Sequence, residues 1–293
     1  MAADFEAFEA QLREANEELN RRSGRPLIPA ILTGLGFGVL LVVGVIWKPV
    51  LIPVAVAMAT LGSAELSNAF RLKGRRVPRI PLLVVAVVGP VAGYFLGVGG
   101  LWAVTLAAVV VLLLWRVVEQ LVPAFRVTPG ALVRDLGAGA FTILYVPFLA
   151  SWSMVLHAQP GGEWWLLGAL VVVVANDTGA WAIGRFFGRH KMAPRISPGK
   201  SWEGFAGGLA SAVVAGVLVG MLMWQQPWWV GVVAGLAFLV TGTLGDLAES
   251  LIKRDIGIKD MSSWVPGHGG VLDRLDSILP SLVVAFGLYS VFV

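Results

Sequence analysis

Nine apolar runs of roughly 20 residues each, separated by short polar segments, restrict this chain to one kind of fold. A helix rises about 1.5 Å per residue and needs ~20 mostly apolar residues to cross a hydrocarbon core of ~30 Å. The runs are Leu27 to Trp47, Val50 to Ala69, Ile80 to Leu96, Leu101 to Val118, Leu136 to Leu156, Trp164 to Gly184, Gly204 to Met223, Trp228 to Glu249 and Asp273 to Val293. Within lipid only helices and closed barrels satisfy their backbone polar groups, and runs this long are helical. The expected fold is therefore all-α: a polytopic integral membrane protein with about nine transmembrane helices. Composition agrees, since 57% of the residues are hydrophobic and only 14% are charged, against about 25% charged in a soluble domain.

The charges that remain are ordered. All of the 22 Lys and Arg except Lys48 fall in the N-terminal segment or in alternate loops. Basic loops stay on the cytoplasmic side, so nine spans place the N-terminus inside and the C-terminus outside. This explains the net charge of +4 without a nucleic-acid partner. It also makes the chain a multi-pass protein of the cell (inner) membrane. Residues 1–26 put Phe5, Phe8, Leu12, Ala15 and Leu19 on one helical face, which reads as a cytosolic or interfacial amphipathic helix. Their early acids, and the length of the run that follows, argue against a cleaved secretory signal. Residues 27–156 form an expected scaffold half, and residues 157–293, where polar clusters enter the spans, an expected catalytic half. Gly204, Gly208, Ala212, Gly216 and Gly220 recur every four residues, a spacing that lets helices approach closely. With no Cys, the chain has no disulfide, thiolate metal site or Cys nucleophile.

Chemistry concentrates between Asp246 and Asp276, where 31 residues hold six of the 18 carboxylates and four Lys or Arg. Asp246 and Glu249 share a helical face, as do Asp273 and Asp276. Asp177 lies inside the sixth span, where an ionised carboxylate needs a partner or water. Structural ion pairs with Arg254, Lys259 and Arg274 would account for single acids. A hard cation accounts for the set, because Mg²⁺ takes carboxylate and water oxygens and bridges to phosphates. Pro266 to Gly270 can form a loop whose backbone amides face an anion, with Lys253, Arg254, Lys259 and Arg274 supplying positive charge. A second cluster, Ser197-Pro198-Gly199-Lys200-Ser201-Trp202-Glu203-Gly204, enters the seventh helix. It reads equally well as a phosphate contact or as a basic loop ending in an N-cap. The Arg71 to Arg79 segment reads as a topological and headgroup-facing patch.

The pattern S-x-I-K-R-x4-K-D-x-S followed by P-G-H-G-G-V-x-D-R-L-D, here Ser250 through Asp276, resembles the C-terminal signature of the phosphatidate cytidylyltransferases, or CDP-diacylglycerol synthases. Gly245 to Ser250 and Ser197 to Gly204 are similar to that family too, although Val265 and Gly199 depart from its usual residues. The resemblance implies conversion of CTP and phosphatidate to CDP-diacylglycerol and pyrophosphate, with Mg²⁺ and a K⁺ beside it. It implies Asp246, Asp273 and Asp276 as metal ligands, and Lys200, Lys253, Arg254, Lys259, Asp260 and Arg274 as catalytic or phosphate-binding groups. Ser197, Ser201, His268, Gly269, Gly270 and Asp177 would shape the substrate pocket. The implied partners are CTP, phosphatidate and membrane lipids, with the active site on the cytoplasmic side and a homodimer allowed.

Two other classes fit parts of the sequence. A CTP-dependent lipid kinase of the dolichol-kinase type would use a similar site to transfer a terminal phosphoryl group, and a transporter of anionic solutes would also carry charged, interrupted spans. A CDP-alcohol phosphotransferase fits less well, because Ser277 follows Asp276 where its motif requires Gly.

Overall fold

The computed structural model describes residues 27–262, 264 and 269–293. The amphipathic segment read over residues 1–26, and Pro266, Gly267 and His268, lie outside the described residues. The described residues are helical almost throughout: α1 Leu27–Ile46, α2 Lys48–Leu72, α3 Arg79–Val118, α4 Pro129–Ile143, α5 Leu149–His157, α6 Gly162–Phe187, α7 Trp202–Leu222, α8 Trp228–Ile256, the short turn α9 Leu272–Leu275, and α10 Ile278–Phe292. Proline sits in the first turn of α2 and α4, where its missing N–H costs nothing. One small antiparallel hairpin interrupts the helices, pairing β1 Lys191–Ala193 with β2 Ser197–Ser201 between α6 and α7.

Among the described residues, seven helices are long and apolar enough to cross a membrane, against nine apolar runs in the sequence. Two of the runs fall on the single stretch Arg79–Leu121, which is 43 residues long, about twice what one crossing needs. Its helix is broken at Gly97, whose φ of 64° and ψ of −155° lie outside helical space, a conformation glycine adopts without a Cβ penalty. The first run is α1, helical from Leu27 to Ile46.

Two boundaries differ from the sequence reading. The eighth span does not end at Glu249: α8 runs two further turns to Ile256 and stops at left-handed Gly257, φ 85°, whose N–H bonds to Lys253 and Arg254 carbonyls. Lys253 and Arg254 thus belong to a helix end, where positive charge is favoured, and not to a loop. The fifth span, expected from Leu136 to Leu156, is interrupted by a π turn at Leu144–Phe148 containing Pro147, where the proline cannot donate to the helical ladder.

Helices α6, α7 and α8 pack against one another along the small-residue stripe of α7. A Cβ on Gly216 would lie 3.1 Å from Gly235 N and 3.2 Å from its Cα on α8, and one on Gly204 would lie 2.8 Å from the Ala180 carbonyl on α6. Side chains larger than hydrogen would hold these backbones apart, and the close van der Waals packing that small residues allow is one of the forces that associate helices in lipid. In the first half, the fully buried Arg116 of α3 donates from Nε at 2.9 Å and from Nη2 at 2.7 Å to Asp135 Oδ2 on α4. The Arg76 amide bonds to the other Asp135 oxygen at 2.8 Å, and its guanidinium pairs with Glu119 at 2.9 Å. Part of the basic patch at 71–79 is therefore structural.

Candidate active site

Three glycines decide where the site forms. A Cβ on Gly245 of α8 would collide with the Asp276 carbonyl and lie 2.8 Å from Pro280 Cγ, so α8 and the start of α10 meet there without a side chain between them. One turn earlier, a Cβ on Gly242 would lie 3.3 Å from Asn176 Nδ2 on α6 and 3.7 Å from Ser277 Cβ. With Gly204 seating the start of α7 on α6, four helix segments converge. Between them lies a cavity of about 590 Å³, within the ~300–1,000 Å³ range of small-molecule sites.

The cavity wall includes Asp177, Asp246, Asp273 and Asp276 on one side of the charge balance, and Lys200 and Arg274 on the other. Ser197, Gly199, Ser201, Asn176 and Thr243 add polar surface, while Trp181, Met192 and Phe205 supply apolar surface. Lys200, carried on β2, reaches Asp246 Oδ2 at 2.8 Å, with both side chains partly open to solvent. Asp246 Oδ1 also accepts the Ser250 hydroxyl at 3.3 Å, one turn along α8. Asp177 accepts from Ser277 Oγ at 2.8 Å and from Asn176 Nδ2 at 3.1 Å. The intramembrane carboxylate is thus held by neutral donors from α10 and its own helix. Ser201 caps α7, its Oγ accepting the Gly204 N–H at 3.1 Å, which fixes the strand-to-helix turn that presents Lys200.

Asp273 is engaged differently. Its Oδ1 accepts Lys253 Nζ at 2.8 Å, and its Oδ2 accepts the Met261 and Gly270 amides at 2.9 and 2.7 Å. Both oxygens are committed to holding α9 against α8. Asp276 Oδ1 accepts the Ser277 amide at 2.8 Å, and its side chain neighbours that of Glu249. Glu249 is fully buried, and Lys253 Nζ lies 3.5 Å from its Oε2.

The sequence-predicted residues therefore separate. Asp177, Ser197, Lys200, Ser201, Asp246, Asp273, Arg274 and Asp276 line one cavity. Lys253 stands behind it, bound to Asp273. Arg254 is exposed and donates from Nε to the Ile196 carbonyl at 3.2 Å, which ties the hairpin to α8. Lys259 and Asp260 are exposed and lie outside the cavity wall. Gly269, in a left-handed conformation with φ 81°, packs beside Asp273 Oδ2, and Gly270 packs against Glu65. Thr243 and Trp181 escaped the sequence reading although helical spacing pointed to them, one turn before Asp246 and one turn after Asp177. Glu249 was visible as an acid on the Asp246 face, but its burial was not.

Among the described residues, no three Asp, Glu or His side chains are grouped to hold a metal ion. The donor chemistry nevertheless suits a hard divalent cation. Four carboxylates against two cations in the wall would repel a polyanionic nucleotide unless positive charge joined them. Mg²⁺ needs only one or two protein carboxylates when substrate phosphates and water complete its shell. Asp246 is held by two side-chain donors, Lys200 and Ser250, which a bound cation can displace, and Asp276 by the Ser277 amide, so both fit that role better than Asp273, which Lys253 and two backbone amides hold.

Residues 27–292 match the family model described as the cytidylyltransferase family. A phosphatidate cytidylyltransferase of Mycobacterium bovis is 38% identical over 282 residues, covering 90% of this chain and 89% of the relative. One from Mycobacterium leprae is 37% identical over 285 residues, covering 90% and 88%. One from Haemophilus influenzae is 40% identical over 166 residues, covering 53% and 56%. With the match running from the first described helix to the last and taking in every wall residue of the cavity, the chain belongs to the cytidylyltransferase family.

Proposed function

We propose that this multi-pass membrane protein transfers CMP from CTP to phosphatidate, releasing pyrophosphate, with its active site on the cytoplasmic side of the cell membrane. The observation that carries the proposal is the cavity between α6, α7, α8 and α10, which sets Lys200 and Arg274 among Asp177, Asp246 and Asp276 at the polar end of otherwise apolar helices. Relatives matched along nearly the whole chain bear the name phosphatidate cytidylyltransferase, and the loops flanking the cavity carry the basic residues expected to stay inside.

In this reaction a phosphate oxygen of the lipid attacks the α-phosphorus of CTP, a new P–O bond forms, and the bond to the β-phosphate oxygen breaks. The attacking oxygen is already largely ionised, so the site needs positioning and charge stabilisation and no covalent nucleophile. Lys200 and Arg274 supply fixed positive charge to the phosphates. Ser197 and the capped turn at Ser201 shape the wall beside them. Asp246 and Asp276 would hold Mg²⁺. When bound, the ion would neutralise charge on the phosphates during transfer. Lys253 keeps Asp273 and the α9 turn in place, and Arg254 keeps the hairpin that carries Lys200 against α8.

Two labelled substrates test the reading. CTP labelled at the α-phosphate should transfer label to phosphatidate in inverted membrane vesicles but not in sealed right-side-out vesicles. Label passing instead from the γ-phosphate would indicate a lipid kinase, and no consumption of CTP would indicate a transporter. Replacing Lys200 with Ala should lower kcat/KM by about 10²-fold, the cost of losing one preorganised charge donor at a transferring group. Insertion should be unaffected, because Lys191 and Arg195 keep that loop basic. Wild-type kinetics in the inserted variant would remove Lys200 from the site.

A further inference from the structure

Glu65 is a buried acid outside the cavity. It lies on α2 in the first half of the chain and is 1% exposed. Its carboxylate accepts the Val271 amide at 2.9 Å, the Leu272 amide at 2.8 Å and the Ser262 hydroxyl at 2.5 Å. A Cβ on Gly270 would lie 2.8 Å from either Glu65 oxygen, so the acid occupies the space that a side chain at 270 would take. Val271 and Leu272 open the turn α9, and their amides have no partner within that turn. Buried without an acceptor, each would keep the full penalty of its lost hydration. A charged acceptor makes the stronger bond.

The same segment is held a second time by Asp273, which binds the Met261 and Gly270 amides. Both ends of the stretch between Met261 and Leu272 are thus fastened by carboxylates, one local and one from a helix some 200 residues earlier. Asp273, Arg274 and Asp276, all in the cavity wall, begin one residue after the amides that Glu65 holds. A shift of α9 would move all three together. Near-attack geometry is lost with displacements of about 1 Å.

We infer that Glu65 is a positioning residue for the active site: by accepting the Val271 and Leu272 amides and the Ser262 hydroxyl, it sets where α9 stands and so where Arg274 and Asp276 face the substrate phosphates. Its catalytic consequence rests on the cytidylyltransferase reading. Its hold on α9 does not. A glutamine at this position keeps the length and one acceptor oxygen but turns an NH₂ group toward donors. An aspartate keeps the charge and ends one methylene short.

The test uses the full chain purified in detergent, as wild type, Glu65→Gln and Glu65→Asp. Hydrogen exchange of the peptide covering residues 269–276 should accelerate at least tenfold in Glu65→Gln. The Mg²⁺ concentration for half-maximal activity should rise at least fivefold in the folded fraction. Glu65→Asp should shift both in the same direction by less, and it decides the matter if Glu65→Gln does not fold. Unchanged exchange over 269–276 overturns the inference. So does an unchanged Mg²⁺ requirement and kcat per folded molecule, because a merely structural acid would lower the yield of folded protein without moving either. A wild-type chain that makes no CDP-lipid would count against the reaction alone, and the exchange measurement would then decide whether Glu65 positions α9.

Discussion

Asn at position 246 or 276 is expected to reduce kcat/KM for CTP by more than about 10²-fold, beyond the 10- to 100-fold that changes around a metal's ligands usually cause. Asp246 and Asp276 face one cavity from α8 and from the turn just before α10; Asp246 is held by the side chains of Lys200 and Ser250 and Asp276 by the Ser277 amide, whereas Asp273 is held by Lys253 and two backbone amides. Each substitution keeps the side-chain volume and one acceptor oxygen while removing a charge that offsets a divalent cation. Excess Mg²⁺ should restore activity in part, and both variants should insert and purify as the wild type does. Asp273→Asn should behave differently. Its NH₂ group must face either Lys253 or the Met261 and Gly270 amides, donor against donor, so thermal stability and activity fall together. Titrating activity against Mg²⁺ beside a thermal melt separates these outcomes. Near-wild-type activity with an unchanged Mg²⁺ requirement in both Asp246→Asn and Asp276→Asn would rule out the metal assignment.

The second large effect concerns stability. Asp135→Ala should destabilise the protein by about 3–5 kcal/mol, the usual cost of leaving one partner of a buried ion pair uncompensated. Arg116 is fully buried, its two short bonds end on one Asp135 oxygen, and Glu119 stands farther off at 3.8 Å. The Arg76 amide would lose its acceptor as well. A thermal midpoint lower by on the order of 10 °C is expected. Activity per folded molecule should be retained, since none of these residues lines the cavity. A midpoint within about 2 °C of wild type would show that solvent or lipid headgroups reach Arg116. Replacing Arg116 and Asp135 together by apolar residues of similar size should recover part of the loss, because the buried pair contributes less than its rupture costs.

Much of this architecture was legible because it is local. Apolar runs long enough to cross a membrane form helices wherever they sit, since unpaired backbone groups in hydrocarbon are prohibitive. The four-residue spacing of small residues on α7 marked a face for close packing before its partners on α6 and α8 were known. The spacing of Asp246 and Glu249, and of Asp273 and Asp276, placed each pair on one face of a helix. The motif from Ser250 to Asp276 carried the family. Helix ends were less legible: α8 continues past its apolar run because Glu249 and Lys253 are sheltered by neighbouring helices, and hydropathy does not register that shelter.

What only the tertiary structure decided is which charge meets which. Asp273 looked equivalent to Asp276 in sequence, yet it is taken up by Lys253 and two amides because α9 folds back onto α8. Lys200 faces Asp246 because a hairpin, held by Arg254, places β2 beside α8. Glu65 belongs to the α9 turn although 206 residues separate it from Val271. Such pairings join segments distant along the chain, and their energies arise only once helices dock and exclude water. A periodicity shows which face a side chain occupies, while the packing of glycines at 204, 242 and 245 determines what that face meets.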